Sequence, residues 1–288
     1  KTYHQKDGSY LNYAPRFSPD GDIYLYFSNK DIRSDIWKAN TLELKSPVKI
    51  VRGESSSRFE EFHFQKNNIS WFPDGQRFAF VSKTSRGDRI YVMNYQTGQI
   101  IYEFNFPDFD AVFEIDISPD GEEIVFAGQK DLQNDIYIFT IANDRIRSLT
   151  NDIYNDSQPR WSRDGSKIVF TSERSIYPDS TRQNLFNELN NDIFFYDMAS
   201  GNFYQVTDDP FSNQFPLWDS SGHKILFVSE RNFATNFEII DINTGERAIV
   251  TRSLGGKFTG DLDKNDENLI FSCYYNGGWD LYQKSYPL

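Results

Sequence analysis

Phe17-Ser18-Pro19-Asp20-Gly21 is the stretch on which the reading of the fold turns. It recurs as Trp71-Phe72-Pro73-Asp74-Gly75, as Ile117-Ser118-Pro119-Asp120-Gly121 and as Trp161-Ser162-Arg163-Asp164-Gly165. Two degenerate copies follow, Trp218-Asp219-Ser220-Ser221-Gly222 and Leu262-Asp263-Lys264-Asn265-Asp266, the last with Asp266 in the glycine place. Each is turn chemistry. Pro presets φ for the first turn position, Asp accepts local backbone bonds, and Gly takes the left-handed conformation that closes a short hairpin.

Working outward, the flanks repeat in register. Three residues after each glycine position stand Tyr24, Phe78, Ile124, Ile168, Ile225 and Leu269; five residues after it stand Tyr26, Phe80, Phe126, Phe170, Phe227 and Phe271. Apolar spacing of two predicts a strand with one buried face. Ile36, Ile90, Ile136, Ile193, Phe237 and Leu281 open the next strand, and Leu149-Thr150, Val206-Thr207 and Val250-Thr251 mark an outer one. Each repeat is therefore four short antiparallel strands, A to D. Six such units predict an all-β fold, a six-bladed β-propeller of four-stranded blades. The blades are expected at about residues 14–52, 69–105, 112–151, 157–208, 214–252 and 258–288 plus 1–5, in one domain spanning 1–288. The chain stops after strand C of blade six, so an N-terminal strand around residues 1–5 is expected to complete that blade. Pairing the two ends would close the ring and remove an exposed edge.

The pattern Pro-x-[Phe/Trp]-Ser-Pro-Asp-Gly, then Ile-x-Phe-x-Ser, then Asp-Ile-Tyr, then Leu-Thr-Asn resembles the propeller repeat of TolB-like proteins. Its fullest match runs from Pro159-Arg160-Trp161 to Phe170-Thr171-Ser172, preceded by Leu149-Thr150-Asn151. The resemblance covers essentially the whole chain. It implies a non-enzymatic scaffold for a protein or peptide, working in the bacterial periplasm or cell envelope. Related repeats also occur in propellers of prolyl-oligopeptidase-type enzymes. That leaves two alternatives: an accessory propeller of a larger peptidase or hydrolase, and a carbohydrate-binding or carbohydrate-active propeller.

Composition narrows the partner. Aromatics make up 17% of the 288 residues, which suits pleated, half-buried surfaces. The lone Cys273 excludes an internal disulfide framework and a Cys-based zinc site. No apolar run approaches the ~18–20 residues of a membrane helix, so no direct membrane insertion is expected. No signal peptide is expected either, because no apolar stretch follows Lys1-Thr2-Tyr3-His4-Gln5. A net charge of −12 argues against nucleic acid and against a polyanionic membrane surface. It favours a partner with a basic patch, bound at a rate that falls with salt. A monomer is expected.

In a propeller the A–B and C–D turns share one face, and the D–A and B–C loops share the other. All the tight Asp-Gly and Thr-Gly turns fall on the first face, and both long insertions fall on the second. Function usually rides on the loops of a rigid scaffold. The blade-four insertion (173–192) offers Tyr177, Arg182, Leu185 and Phe186 as a docking element. The insertion between blades one and two (53–68) offers Arg58, Phe59, Glu60, Glu61 and His63 as a groove of alternating aromatics and charges, with added-strand or rim packing as the competing reading. Arg16, Glu114, Asp116, Arg160 and Asp261 are expected near the start of strand A, at the channel mouth on that same face.

Other motifs are decoys. Asp261-x-Asp263-x-Asn265 begins like a calcium loop, but Asp266 replaces the required Gly and Ser272 the required Glu. Asp35, Asp135, Asp192 and Asp280 precede strand C so regularly that a structural role is expected, as acceptors for backbone N–H groups at the B–C corners. No nucleophile elbow is present, and His4, His63 and His223 are scattered. No catalytic residue, metal or cofactor is therefore expected.

Overall fold

A computed structural model describes residues 8–41, 47–53, 58–63, 66–174, 190–231 and 234–285. Five antiparallel sheets of four strands and one of three are arranged as a six-bladed propeller. Strand A of the successive blades spans Asn12–Phe17, Ile69–Trp71, Ala111–Ile117, Asp156–Trp161, Asn213–Trp218 and Lys257–Leu262. The three-stranded sheet is blade six. Residues 1–5, expected to supply its outer strand, lie outside the described residues. The described ends nevertheless meet: Leu11 bridges Trp279 in parallel, and the Trp279 N–H donates to the Tyr10 carbonyl.

Strand B corrects the expectation of one buried face. In blade two Phe78 and Phe80 are fully buried on one side, and so are Ala79 and Val81 on the other. The first pair packs with Leu25 and Phe27 of blade one. The second packs with Ile124 and Phe126 of blade three. Each blade is sandwiched between two others, so both faces of its inner strands leave water. The six apolar clusters are the six blade interfaces, the last joining Tyr26 and Trp37 of blade one to Leu281 of blade six. Burial worth ~25 cal/mol per Å² of apolar surface holds the ring together.

The A–B turns form as their chemistry requires. The Gly21 N–H donates to the Ser18 carbonyl, and Gly21 sits at φ 80°. Asp266 adopts the same left-handed backbone at φ 58°, which Asp tolerates better than most residues. The Ser162 hydroxyl, bonded to the Asp164 carboxylate, leads in holding that carboxyl down to about 2.

Three of the aspartates before strand C, Asp35, Asp135 and Asp192, are structural, but their partners lie elsewhere than at the B–C corner. Thr150 Oγ1 donates to Asp135 at 3.2 Å and Thr207 Oγ1 to Asp192 at 2.8 Å. Asp35 accepts the Gly53 N–H at 2.9 Å. These partners all lie just past strand D, so the carboxylates fasten the exit of the outer strand rather than the B–C corner. The same threonines accept the N–H of Ile136 and Ile193, completing the clasp.

Candidate functional site

Strand A lines the channel, and its course is set by a bulge. Register slips at equivalent places in blades one, three, four, five and six. Ala14, Glu114, Gln158 and Phe215, which occupy one repeat position, all have positive φ between 51° and 58°. A bulge leaves backbone groups unpaired and re-aims side chains. Here the neighbouring blade supplies the missing acceptor. The Glu114 N–H donates to Asn68 Oδ1 at 2.6 Å, the Gln158 N–H to Glu114 Oε2 at 2.8 Å, and the Phe215 N–H to Gln158 Oε1 at 2.6 Å.

Two residues further on comes a second layer. Ser70, Asp116 and Asp261 accept the N–H of Ile117, Trp161 and Phe17 in the next blade. Arg16 bridges the carboxylates, with Nη2 2.9 Å from Asp116 and Nη1 3.3 Å from Asp261. Arg160 Nη1 lies 3.2 Å from Asp116. Burial pushes both carboxyls up, and Arg16 pulls them back.

These four residues come together as expected, but at the other end of the channel. Each is the last or last but one residue of strand A, next to the tight A–B turn, not near its start. They line a cavity of about 180 Å³ that opens on the tight-turn face. Arg163, standing where three other blades have proline, donates to the Asp263 carbonyl at 2.6 Å and to that of Lys264, strapping blade four to blade six across this mouth.

Of the five charged channel residues, only Glu114 faces the D–A/B–C mouth. A cavity of about 380 Å³ there has two unlike walls. Tyr13, Phe215, Phe258 and Trp279, from blades one, five and six, form an aromatic side. Phe258 and Trp279 stand edge to face at 4.7 Å, Tyr13 and Trp279 at 5.8 Å, and Tyr274 extends the wall at 5.3 Å from Trp279. Burial pushes the Tyr13 hydroxyl up. Glu114, Lys66, Gln158 and Gln214 form the polar side, with Lys66 Nζ 3.4 Å from Glu114 Oε1. The aromatic wall was missed in sequence. Tyr13 and Phe258 share one repeat position eight residues before the turn glycine, and that coincidence was the available signal.

The insertion between blades one and two packs as rim, not as an open groove. Phe59 contacts Phe62, Phe80 and Tyr91 at 5.1–5.9 Å, and Phe62 is fully buried. Glu61 bridges Lys83 of strand B in blade two. Gly53 admits this fit, because a Cβ there would lie 2.1 Å from both the Ser34 carbonyl and the Phe62 ring. His63 Nε2 lies 2.9 Å from Asp88, and Arg58 Nη2 3.1 Å from Glu103, while Glu60 is exposed. Tyr177, Arg182, Leu185 and Phe186 lie outside the described residues. Among the described residues, no group of three or more His, Cys, Asp or Glu could hold a metal ion.

The sequence model of the family described as TolB beta propeller domain matches residues 65–285, well over half of the chain. The chain belongs to the TolB β-propeller family. Over 256 residues it is 25% identical to an uncharacterized protein, Atu1656, of Agrobacterium fabrum, covering 85% of this chain and 78% of that protein. It is 25% identical to the Tol-Pal system protein TolB of Francisella tularensis, across 65% of this chain but only 40% of that protein. The solved TolB of Acinetobacter baumannii superposes at TM-score 0.68 with 20% identity, over 95% of this chain and 60% of that one. An enzyme shares the architecture as well. A solved oligogalacturonate lyase, in complex with manganese, aligns at TM-score 0.60 and 13% identity, over 97% of this chain and 90% of that one. Membership of the family therefore carries the fold, and the use made of it must be argued from the site.

Proposed function

We propose that this propeller is a non-enzymatic scaffold that holds a protein or peptide partner on its D–A/B–C face, over the aromatic channel mouth. The observation that carries the reading is the distribution of exposed apolar side chains. Among the described residues, the large apolar ones at least 70% exposed are Tyr10, Ile32, Leu132, Ile153 and Leu254. Every one sits in a D–A or B–C connection. Tyr274 and Tyr275 are about half exposed at the blade-six B–C turn, where Tyr274 packs against Trp279 of the aromatic wall. Apolar loop tips around an aromatic cavity are what a protein-binding surface presents.

Two of these tips are held against backbone preference. Asp131 and Leu132 form a two-residue hairpin turn with φ of 50° and 68°. Blade six makes the same turn with Asn276 and Gly277, the usual residues for it. Ile32, β-branched, sits at φ 77°. A left-handed non-glycine residue costs roughly 1–2 kcal/mol, and strain of this kind clusters at functional surfaces.

By family resemblance the partner is met in the bacterial periplasm or envelope. The chain acts as a monomer, and its charge of −12 favours a partner with a basic patch. Leu132→Gly is expected to raise stability by about 1 kcal/mol in urea unfolding. The pair Leu132→Gly and Leu254→Ser is expected to weaken partner binding in crosslinking of envelope extracts while the fold survives. Equal crosslinking by wild type and the pair, or loss only on changing the A–B turns, overturns the proposal.

A further inference from the structure

The cavity behind the A–B turns has more donors than acceptors. Both of its carboxylates are engaged. Asp116 Oδ1 accepts from Arg16, Ser70 and Arg160, and its Oδ2 accepts the Trp161 N–H. Asp261 Oδ1 accepts from Arg16, and its Oδ2 accepts the Phe17 N–H. The guanidinium side is incomplete. Arg160, 4% exposed, gives Nη1 to Asp116, while its buried Nη2 has no hydrogen-bond partner among the described residues. A buried charged donor left unmade is expensive, so such an atom calls for an acceptor.

The repeat shows why it lacks one. The channel position held by Ser70, Asp116 and Asp261 in blades two, three and six is Leu217 in blade five, the blade next to Arg160. Blades one and four hold Arg16 and Arg160 at this position; where the remaining three blades place an oxygen, blade five places a methyl group. Charge adds to the effect. Arg163 lines the same cavity, and Lys264 lines the wider mouth of about 310 Å³ beyond it. With both carboxylates already paired to arginine and a third arginine at the mouth, an anion suits the cavity better than a cation, because it meets a buried, charge-assisted donor without a partner.

We propose that this cavity is a carboxylate-binding site, with the ligand carboxylate seated on Arg160 Nη2 and Arg163 at the entrance. Its volume of about 180 Å³ suits a small aliphatic acid or one acidic side chain. It lies at the mouth opposite the partner face proposed above, so either site can fail without the other.

Trp71, Trp161 and Trp218 line the cavity and report on it. Titration of wild-type protein with malonate is expected to give a saturable change in tryptophan fluorescence. Arg160→Met weakens the response about ten-fold, as loss of a charge-assisted bond does. Leu217→Asp supplies the acceptor that blades two, three and six have and abolishes the response, whereas Leu217→Ala retains it. Competition by acetyl-Gly-Asp-Gly-amide assigns the site to a carboxylate carried on a peptide, and its absence to a free acid; both support the site. No saturable malonate response in folded wild-type protein overturns the proposal, and so does wild-type affinity in Arg160→Met or Leu217→Asp.

Discussion

Asp116→Ala is expected to cost about 3–5 kcal/mol of unfolding free energy, the usual penalty for breaking a buried ion pair by removing one partner. The carboxylate takes four donors from three blades: Arg16 of blade one, Ser70 of blade two, and Arg160 and the Trp161 N–H of blade four. Its removal takes a carboxylate from two guanidiniums whose side chains are 7% and 4% exposed. Arg16 keeps Asp261, but Arg160 loses the one carboxylate it pairs with among the described residues. Asp116→Asn should cost less, since the amide oxygen still accepts the Trp161 N–H. Urea midpoints of the two variants against wild type check the order. A loss below ~1 kcal/mol for Asp116→Ala would mean that the ring is ornamental and that the apolar blade interfaces alone hold the channel.

The second large effect is a dependence of stability on pH at Asp156. This carboxyl begins strand A of blade four, is fully buried, and lies 2.5 Å from Arg174 Nη2. Burial raises it to about 6, against the pull of Arg174. The sign follows from the shift. A group whose folded pKa lies above its unfolded value favours the fold where it is protonated. The contribution is fully present below about 3.8, fades as the pH rises through about 6, and is absent above it. With 1.36 kcal/mol per pKa unit, the change over that window is on the order of 2–3 kcal/mol. Wild type should therefore gain roughly that much relative to Asp156→Asn between pH 7.5 and pH 4, measured as the difference in urea unfolding free energy. Parallel pH profiles for the two proteins would show that Asp156 stays ionised throughout. Other carboxyls, among them Asp20 and Asp120, are held down by hydroxyl and backbone bonds and pull the opposite way, so the comparison with the variant isolates the residue.

Much of the fold was legible because propeller turns are local. Ser-Pro-Asp-Gly needs only its own four residues to bend, and an apolar spacing of two needs only one strand. Loop placement was legible for the same reason. Tight turns and long connections separate onto two faces once the strands are counted. The burial of strand B on both sides was not, because an apolar neighbour from the next blade looks like any other small residue in the chain. Ala79 and Val81 read as the outward side of a strand until blade three covers them.

The channel was the harder part. Arg16, Asp116, Arg160 and Asp261 could be picked out as charged residues of strand A, but their end of the channel and their partners could not. Arg16 and Asp261 stand 245 residues apart and meet only when the ring closes. The aromatic wall of Tyr13, Phe215, Phe258 and Trp279 likewise draws on both ends of the chain. Sequence alone determined six blades, their strand order, and which connections are short, because those depend on backbone chemistry within a few residues. Tertiary structure decided which strand-A side chains face the axis and at which mouth. A one-residue bulge turns a side chain through the sheet, and the acceptors that stabilise the bulges of blades three, four and five come from the neighbouring blade.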